Sequence, residues 1–209
     1  MTDLSQPQPV IIHEEQPELR LDFGCGKTPA EGFLGVDFHE PTAKYCVDLF
    51  KFPLPWEDSS VSEIRASHFL EHIPAREVEE RDMRSRSSNP APIGKDFLCA
   101  FMDECFRILK PGGVMTVIVP SGRSDRAFQD PTHRRFFVES SFAYFSKQWR
   151  DMNGLGHYLC SCDFGAEVNP SIPSELSVLH PEAQARRFRE SWNTTVDLHA
   201  RLVSLKPSP

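Results

Sequence analysis

The triplet Pro111-Gly112-Gly113 constrains this chain more than any other stretch. Before it, residues 96–109 set Phe97, Phe101, Cys105, Ile108 and Leu109 along one helical face. After it, residues 114–119 read Val-Met-Thr-Val-Ile-Val, a short apolar run rich in β-branched side chains. Proline cannot continue a helix and glycine frees the backbone to leave it, so the helix stops here with Lys110 in its last turn. A helix that halts sharply and feeds an apolar strand is how a crossover returns to a parallel sheet. Earlier runs at 19–23, 33–38, 45–49 and 61–66 have strand length and β-forming composition. Residues 158–168 and 195–205 add two later strands. The expectation is an α/β, Rossmann-like and mostly parallel seven-stranded sheet.

Length and charge narrow what such a sheet serves. A chain of 209 residues, 39% hydrophobic and 25% charged, buries one core, so residues 19–209 are expected to form a single domain. Residues 1–18, rich in Gln and Pro, read as a flexible N-terminal arm. Residues 77–95, with alternating charges and then Ser-Arg-Ser-Ser-Asn-Pro-Ala-Pro, read as a loop insertion. Within 121–192, residues 138–150 form an amphipathic helix with Phe142, Phe145 and Trp149 on one side, and 169–177 form a loop. The formal net charge of −7 and the lack of a Lys/Arg block disfavour a nucleic-acid partner and favour a small molecule. Met1 to Pro9 is polar, Val10-Ile11-Ile12 is too short for an export core, and no run reaches the roughly 18 apolar residues of a membrane span. A cytoplasmic location away from membranes is expected. Six cysteines are scattered without CxxC pairs, which suits reduced thiols and no metal; the rival grouping is His157, Cys160 and Cys162.

Polar residues gather where these strands end. The first ends in Asp22-Phe23-Gly24-Cys25-Gly26, where glycines allow a sharp turn and close approach of a ligand to the backbone. The second ends at Asp37, the third at Asp48-Leu49, and the fourth at Ser67-His68 with Leu70-Glu71-His72 behind. Open α/β sheets bind ligands at these carboxyl ends. Beyond the fifth strand, Asp130 and His133 have the spacing of an orienting carboxylate and a base, and Arg134 could hold an anionic group. His68 and His72 are further candidates for a base.

The strings LRLDFGCG, GVDFHE, VDLFKFPLPWEDSSVSEIRASHFLEHI and FRILKPGGVMTVIVP, spread over residues 19 to 120, together resemble the class I S-adenosylmethionine-dependent methyltransferases, in particular the type 11-like group. The resemblance implies S-adenosylmethionine as cofactor and methyl transfer to an acceptor as the activity. It puts Asp22, Gly24, Cys25 and Gly26 at the methionine end and Asp37, followed by Phe38, at the ribose. Asp48 meets the adenine amino group, Leu49 packs on its ring, and Ser67 and His68 stand beside the sulfonium. It makes His133, Asp130 and His68 the catalytic candidates. The chain lacks both the Asn/Asp-Pro-Pro-Tyr/Phe string of the nucleic-acid amino-methyltransferases and a Pro-Cys pair, which again points to a small acceptor.

One departure stands out. Only eight residues separate Gly26 from Gly35 and ten separate Asp37 from Asp48, too few for full crossover helices. The helices between the first three strands must be short or missing. One sheet face is then thinly covered, and helix 138–150, the N-terminal arm or a second subunit in a homodimer are the candidate covers. Two other readings remain open: a NAD- or nucleotide-sugar-dependent Rossmann enzyme, and a non-catalytic binding module with the same fold.

Overall fold

The computed structural model describes residues 18–84 and 92–208. Most of the N-terminal arm and the middle of the 77–95 insertion lie outside them. Six strands form one sheet: β1 (Leu19–Phe23), β2 (Leu34–Val36), β3 (Val61–Ser67), β4 (Leu109–Pro120), β5 (Phe164–Pro170) and β6 (Asp197–Ser204). Their order across the sheet is β2-β1-β3-β4-β6-β5. β2, β1, β3 and β4 run parallel, and β6 is antiparallel to both β4 and β5. Among the described residues the expected seven strands are therefore six, and the parallel character stops at β4. Residues 45–49 are the missing strand. They run beside β2, but only Tyr45 bridges to Val36, and Asp48 then turns the chain by accepting the Phe50 amide at 2.9 Å.

The helix before the Pro-Gly-Gly triplet is α1 (Phe97–Ile108), capped by Asp96, whose side chain accepts the Leu98 and Cys99 amides. The triplet lies inside a bulged start of β4, where the register with β3 shifts between the Val61 and Glu63 pairings. Gly113 is needed there, because a Cβ would come within 2.9 Å of the Lys110 carbonyl and 3.1 Å of that of Ser62. Among the described residues no helix joins β1 to β2 or β2 to β3, as the short spacings require.

Period-two alternation sorts the sheet into two unlike faces. Leu19, Leu21, Phe23, Ile64, Ala66, Met115 and Val117 are buried on the face that carries α1. Phe23 meets Trp56 and Phe101 there, with ring centres 5.7 and 6.2 Å away. The other face is charged. Along one row Asp22, Arg65, Thr116, Arg201 and Glu167 lie side by side on successive strands. Arg20 and Glu63 pair at 2.8 Å in a neighbouring row. Cross-strand ion pairs make such a surface compatible with water, so the missing helices leave no apolar face needing cover. The short β1–β2 loop supplies what cover there is: Ala30 donates its amide to Asp22, and Phe33 lies under the Arg20 guanidinium at 4.2 Å.

The expected helix 138–150 is two pieces. A 3₁₀ segment, Glu139–Phe145, buries Phe142 and Phe145, and α2 (Lys147–Met152) follows. Ser146 splits them by accepting the Trp149 amide as an N-cap. Trp149 packs on Tyr144 with ring centres 4.5 Å apart, rather than joining the core. The loop expected at 169–177 is partly β5 and partly α3 (Ser174–Ser177), and α4 (Pro181–Glu190) follows with no buried residue.

Arg107 joins α1 to the segment before β3. Its guanidinium donates to the carbonyls of Leu54 and Trp56 and pairs with Glu104 and Asp58. We expect Arg107→Ala to cost about 2 kcal/mol, since two carbonyls and Glu104 lose charged partners. Urea unfolding of the purified variant measures this, and a loss under about 0.5 kcal/mol would mean water replaces the guanidinium freely.

Candidate functional site

The carboxyl ends of β1, β2 and β3 meet at one edge of the sheet, and the Gly-Cys-Gly turn lies at their centre. Gly24 and Gly26 have φ of +67° and +54°, a region that side chains strain to enter. A Cβ on Gly24 would lie 2.5 Å from Cδ2 of Phe69, so this glycine lets a ring rest on the backbone. Phe69 in turn stacks on Phe50 at 5.6 Å. A Cβ on Gly26 would meet nothing within 4 Å, so here the turn faces open space. Cys25 is half-buried, and that burial, reinforced by Asp22 and Asp37, raises its thiol pKa.

Asp37 ties the second strand to this turn. Its Oδ2 accepts the Gly26 amide at 3.0 Å, and its Oδ1 accepts the amides of His39 and Glu40 at 2.8 and 3.1 Å. Phe38 is exposed beside it. Asp48 is half-buried, its carbonyl accepts a hydrogen bond from Arg84, and Leu49 is buried. Asp22 stands apart from this group. Both its oxygens accept from Arg65, at 2.9 and 3.0 Å, and Oδ2 also takes the Ala30 amide. Its carboxylate lies on the charged sheet face, and through Ala30 it fastens the far end of the loop that Gly24 begins.

Ser67 ends β3, and His68 follows with φ +52°. A non-glycine residue held there marks strain of the kind found at functional sites. Its amide donates to the Ile118 carbonyl, and its Nδ1 lies 3.2 Å from Oε1 of Glu71. Carboxylate oxygens accept, so Nδ1 carries the proton and Nε2 is left as a base. This bond to Glu71 raises the imidazole pKa, and partial burial opposes it. Glu71 is buried in the 3₁₀ turn Leu70–His72. Its carbonyl takes the amides of Arg134 and Arg135, which fixes the segment after β4 against the tip of β3.

Within that segment the expected Asp130–His133 hydrogen bond is not made. His133 Nε2 is 3.8 Å from Asp130 Oδ2, beyond hydrogen-bond reach. Asp130 instead accepts the amide and hydroxyl of Thr132, both at 2.7 Å, and these bonds lower its pKa. The group that orients His133 is the Ala127 carbonyl, 2.9 Å from Nδ1. Arg134 donates to the Pro131 carbonyl. The turn thus brings His133 and His72 together, with ring centres 4.9 Å apart. Glu71 was readable only as part of a string; the i, i+3 spacing of His68 and Glu71 is the signal that puts both on one side of a helical turn.

Cys160 and Cys162 lie together at 3.4 Å, grouped with Asp103 and not with His157. All six cysteines are free thiols. A groove of about 440 Å³ between residues 139–152 and the β5 edge includes none of the strand-tip residues. No helix among the described residues is long and apolar enough to cross a membrane.

A parallel β2-β1-β3-β4 set with an antiparallel strand beside β4 is a fold that the chain shares with S-adenosylmethionine-dependent methyltransferases of known structure. An S-adenosylmethionine-dependent methyltransferase from Archaeoglobus fulgidus shares it, with a TM-score of 0.55 and 16% identity over 90% of this chain and 86% of that one. One from Mesorhizobium loti aligns over 88% of this chain and 90% of that one, with a TM-score of 0.45 and 16% identity. No protein-family model and no curated protein sequence matches the chain.

Proposed function

We propose that this protein binds S-adenosylmethionine at the tips of β1, β2 and β3 and transfers its methyl group to a small-molecule acceptor. The observation that carries the reading is the joined turn, in which the Asp37 carboxylate accepts the Gly26 amide beside open space at Gly26. Two oxygens offer about four lone-pair sites and three amides take three of them, which leaves one on Oδ2 for a ribose hydroxyl. Gly24, Cys25 and Gly26 offer backbone at the methionine end, and Phe38, Asp48 and Leu49 flank the nucleoside. When bound, the cofactor supplies a methyl group on a positively charged sulfur. Asp22 acts at one remove, by holding the loop through Ala30.

Methyl transfer is an in-line displacement, so the chain's task is to align the acceptor and accept its proton. Among the catalytic candidates, His68 is best placed for that proton. It follows Ser67 at the tip of β3, its Nδ1 is fixed by the buried Glu71, and its side chain is 40% exposed, so Nε2 can reach an acceptor. His133 and Asp130 shape the acceptor side. The half-exposed rings of Phe128, Phe136 and Trp192 stand on the same segment or against it, with Phe128 and Phe136 stacked at 4.6 Å. They suit an acceptor with a flat apolar part. The acidic net charge disfavours nucleic acid, six free thiols suit the cytoplasm, and the ion-paired sheet face removes the need for a second subunit as cover.

Calorimetry with S-adenosylmethionine and with NAD separates this reading from its rivals. We expect binding of the first alone, because a dinucleotide fold sets its third glycine at the start of a helix, and residues 24–33 form none. Binding of NAD, or of neither, would overturn it. With an acceptor in hand, His68→Gln should lower kcat by about 10²-fold or more while cofactor affinity holds within about threefold. An unchanged kcat would remove His68 as the base.

A further inference from the structure

We propose that Glu71, His72 and His133 form a binding site for one borderline divalent cation, such as zinc, on the acceptor side of the strand tips. One donor atom from each residue lies within 4.8 Å of the others. The three come from two segments that the Arg134 and Arg135 amides pin together at the Glu71 carbonyl.

The carboxylate is the first argument. Glu71 is 1% exposed, and its Oε2 has no hydrogen-bond partner, although Oε1 is held by His68. A buried acceptor on an ionised group costs free energy unless something positive meets it. The nearby guanidinium groups do not, because that of Arg135 is spent on Asp96 and on the carbonyls of Ile73 and Pro74, and that of Arg134 on Pro131.

The histidines supply the second argument, through their tautomers. The Ala127 carbonyl can only accept, so His133 carries its proton on Nδ1 and leaves Nε2 with a lone pair. The Thr132 hydroxyl gives its one proton to Asp130, so it accepts from Nδ1 of His72, which likewise leaves Nε2 basic. An imidazole whose Nδ1 proton is fixed by a neighbouring acceptor is the arrangement that metal-binding histidines show, with the second partner setting ring orientation. Two imidazoles and one carboxylate suit zinc and similar ions, and three protein ligands leave a coordination position open.

Bonds of about 2.1 Å place tetrahedral ligands about 3.4 Å apart, so the donors, within 4.8 Å now, close by at most about 1.4 Å on taking up an ion. The cluster of Asp103, Cys160 and Cys162 is the other candidate and fits less well. Its carboxylate is already held by Lys95, Ser161 and the Cys162 amide, and hydrogen bonding and burial raise the thiol pKa of Cys160.

Cobalt(II) tests this on the full chain without any methyl donor, so its outcome does not depend on the cofactor reading. After chelator treatment and dialysis, titration with cobalt(II) should show one equivalent bound, with the stronger visible d–d bands of four- or five-coordinate cobalt(II) and no thiolate charge-transfer band. His133→Asn and His72→Asn, which keep a side-chain amide donor near the Nδ1 position, should each weaken binding by about 10²-fold, and Glu71→Gln by about as much. Unchanged melting curves in the absence of metal keep the three variants comparable, and either histidine variant alone suffices if Glu71→Gln unfolds. The proposal is overturned if no cobalt binds, if binding brings a thiolate band, or if affinity in the histidine variants matches the parent.

Discussion

Asp37→Ala is expected to raise the dissociation constant for S-adenosylhomocysteine by about 10²-fold or more. Hydrogen bonds to an ionised acceptor are worth about 1.5–3 kcal/mol each, and each 1.4 kcal/mol is tenfold in affinity. One ribose hydroxyl on the free lone pair therefore accounts for about one to two orders of magnitude. A further part comes from the turn, because the same carboxylate holds the Gly26 amide at 3.0 Å and the amides of His39 and Glu40. Asp37→Asn keeps one acceptor oxygen without the charge, so its loss should be nearer tenfold. Calorimetric titration of both variants reads the difference. Equal affinity for parent and Asp37→Ala would show that the ligand lies elsewhere.

Asp22→Ala should have the larger effect on stability, about 3 kcal/mol, and act on binding only through the loop. Removing one member of a buried ion pair costs about 3–5 kcal/mol, and the lower end applies because the Arg65 side chain is 28% exposed. Asp22 itself is 1% exposed, so its loss also strands the Ala30 amide beneath the loop. In a chain of this size about 3 kcal/mol corresponds to a melting point lower by about 6–12 °C. Asp22→Asn retains an acceptor for Ala30 and should lose less. Urea and thermal unfolding measure both, and a loss under about 1 kcal/mol for Asp22→Ala would mean that Arg65 is content in water.

These two carboxylates show what could be read from residues alone. Both end apolar runs, and the expectation of a ligand-binding sheet edge came from that placement. Their different roles are written in alternation: Leu21 and Phe23 face α1, so Asp22 must share a face with Arg20, away from the helix layer. The strand at 45–49 failed because Asp48 turns the chain after one bridge, a side-chain to backbone bond that apolar patterning does not register. α4 was missed because no residue in it is buried, so there was no stripe to find. The break at Ser146 is a capping event inside an otherwise continuous pattern. Glu71 escaped as a functional residue because its importance lies in burial and in an unmet oxygen, properties that belong to the folded chain.

The thin cover of the sheet is the other lesson. Short spacings between the first strands imply the missing helices, and from sequence alone cover by another element is the expectation. The cross-strand pairs Arg20–Glu63 and Asp22–Arg65 answer the problem differently, by making that face charged. Their register could not be known before the strands were paired.

The most direct measurement is amide chemical-shift mapping of the labelled chain titrated with S-adenosylhomocysteine. The account predicts one saturable set of shifts centred on Gly24, Cys25, Gly26, Asp37, Phe38, Asp48 and Ser67, lost in Asp37→Ala. Shifts confined to the groove beside β5, or none at saturating ligand, would contradict it.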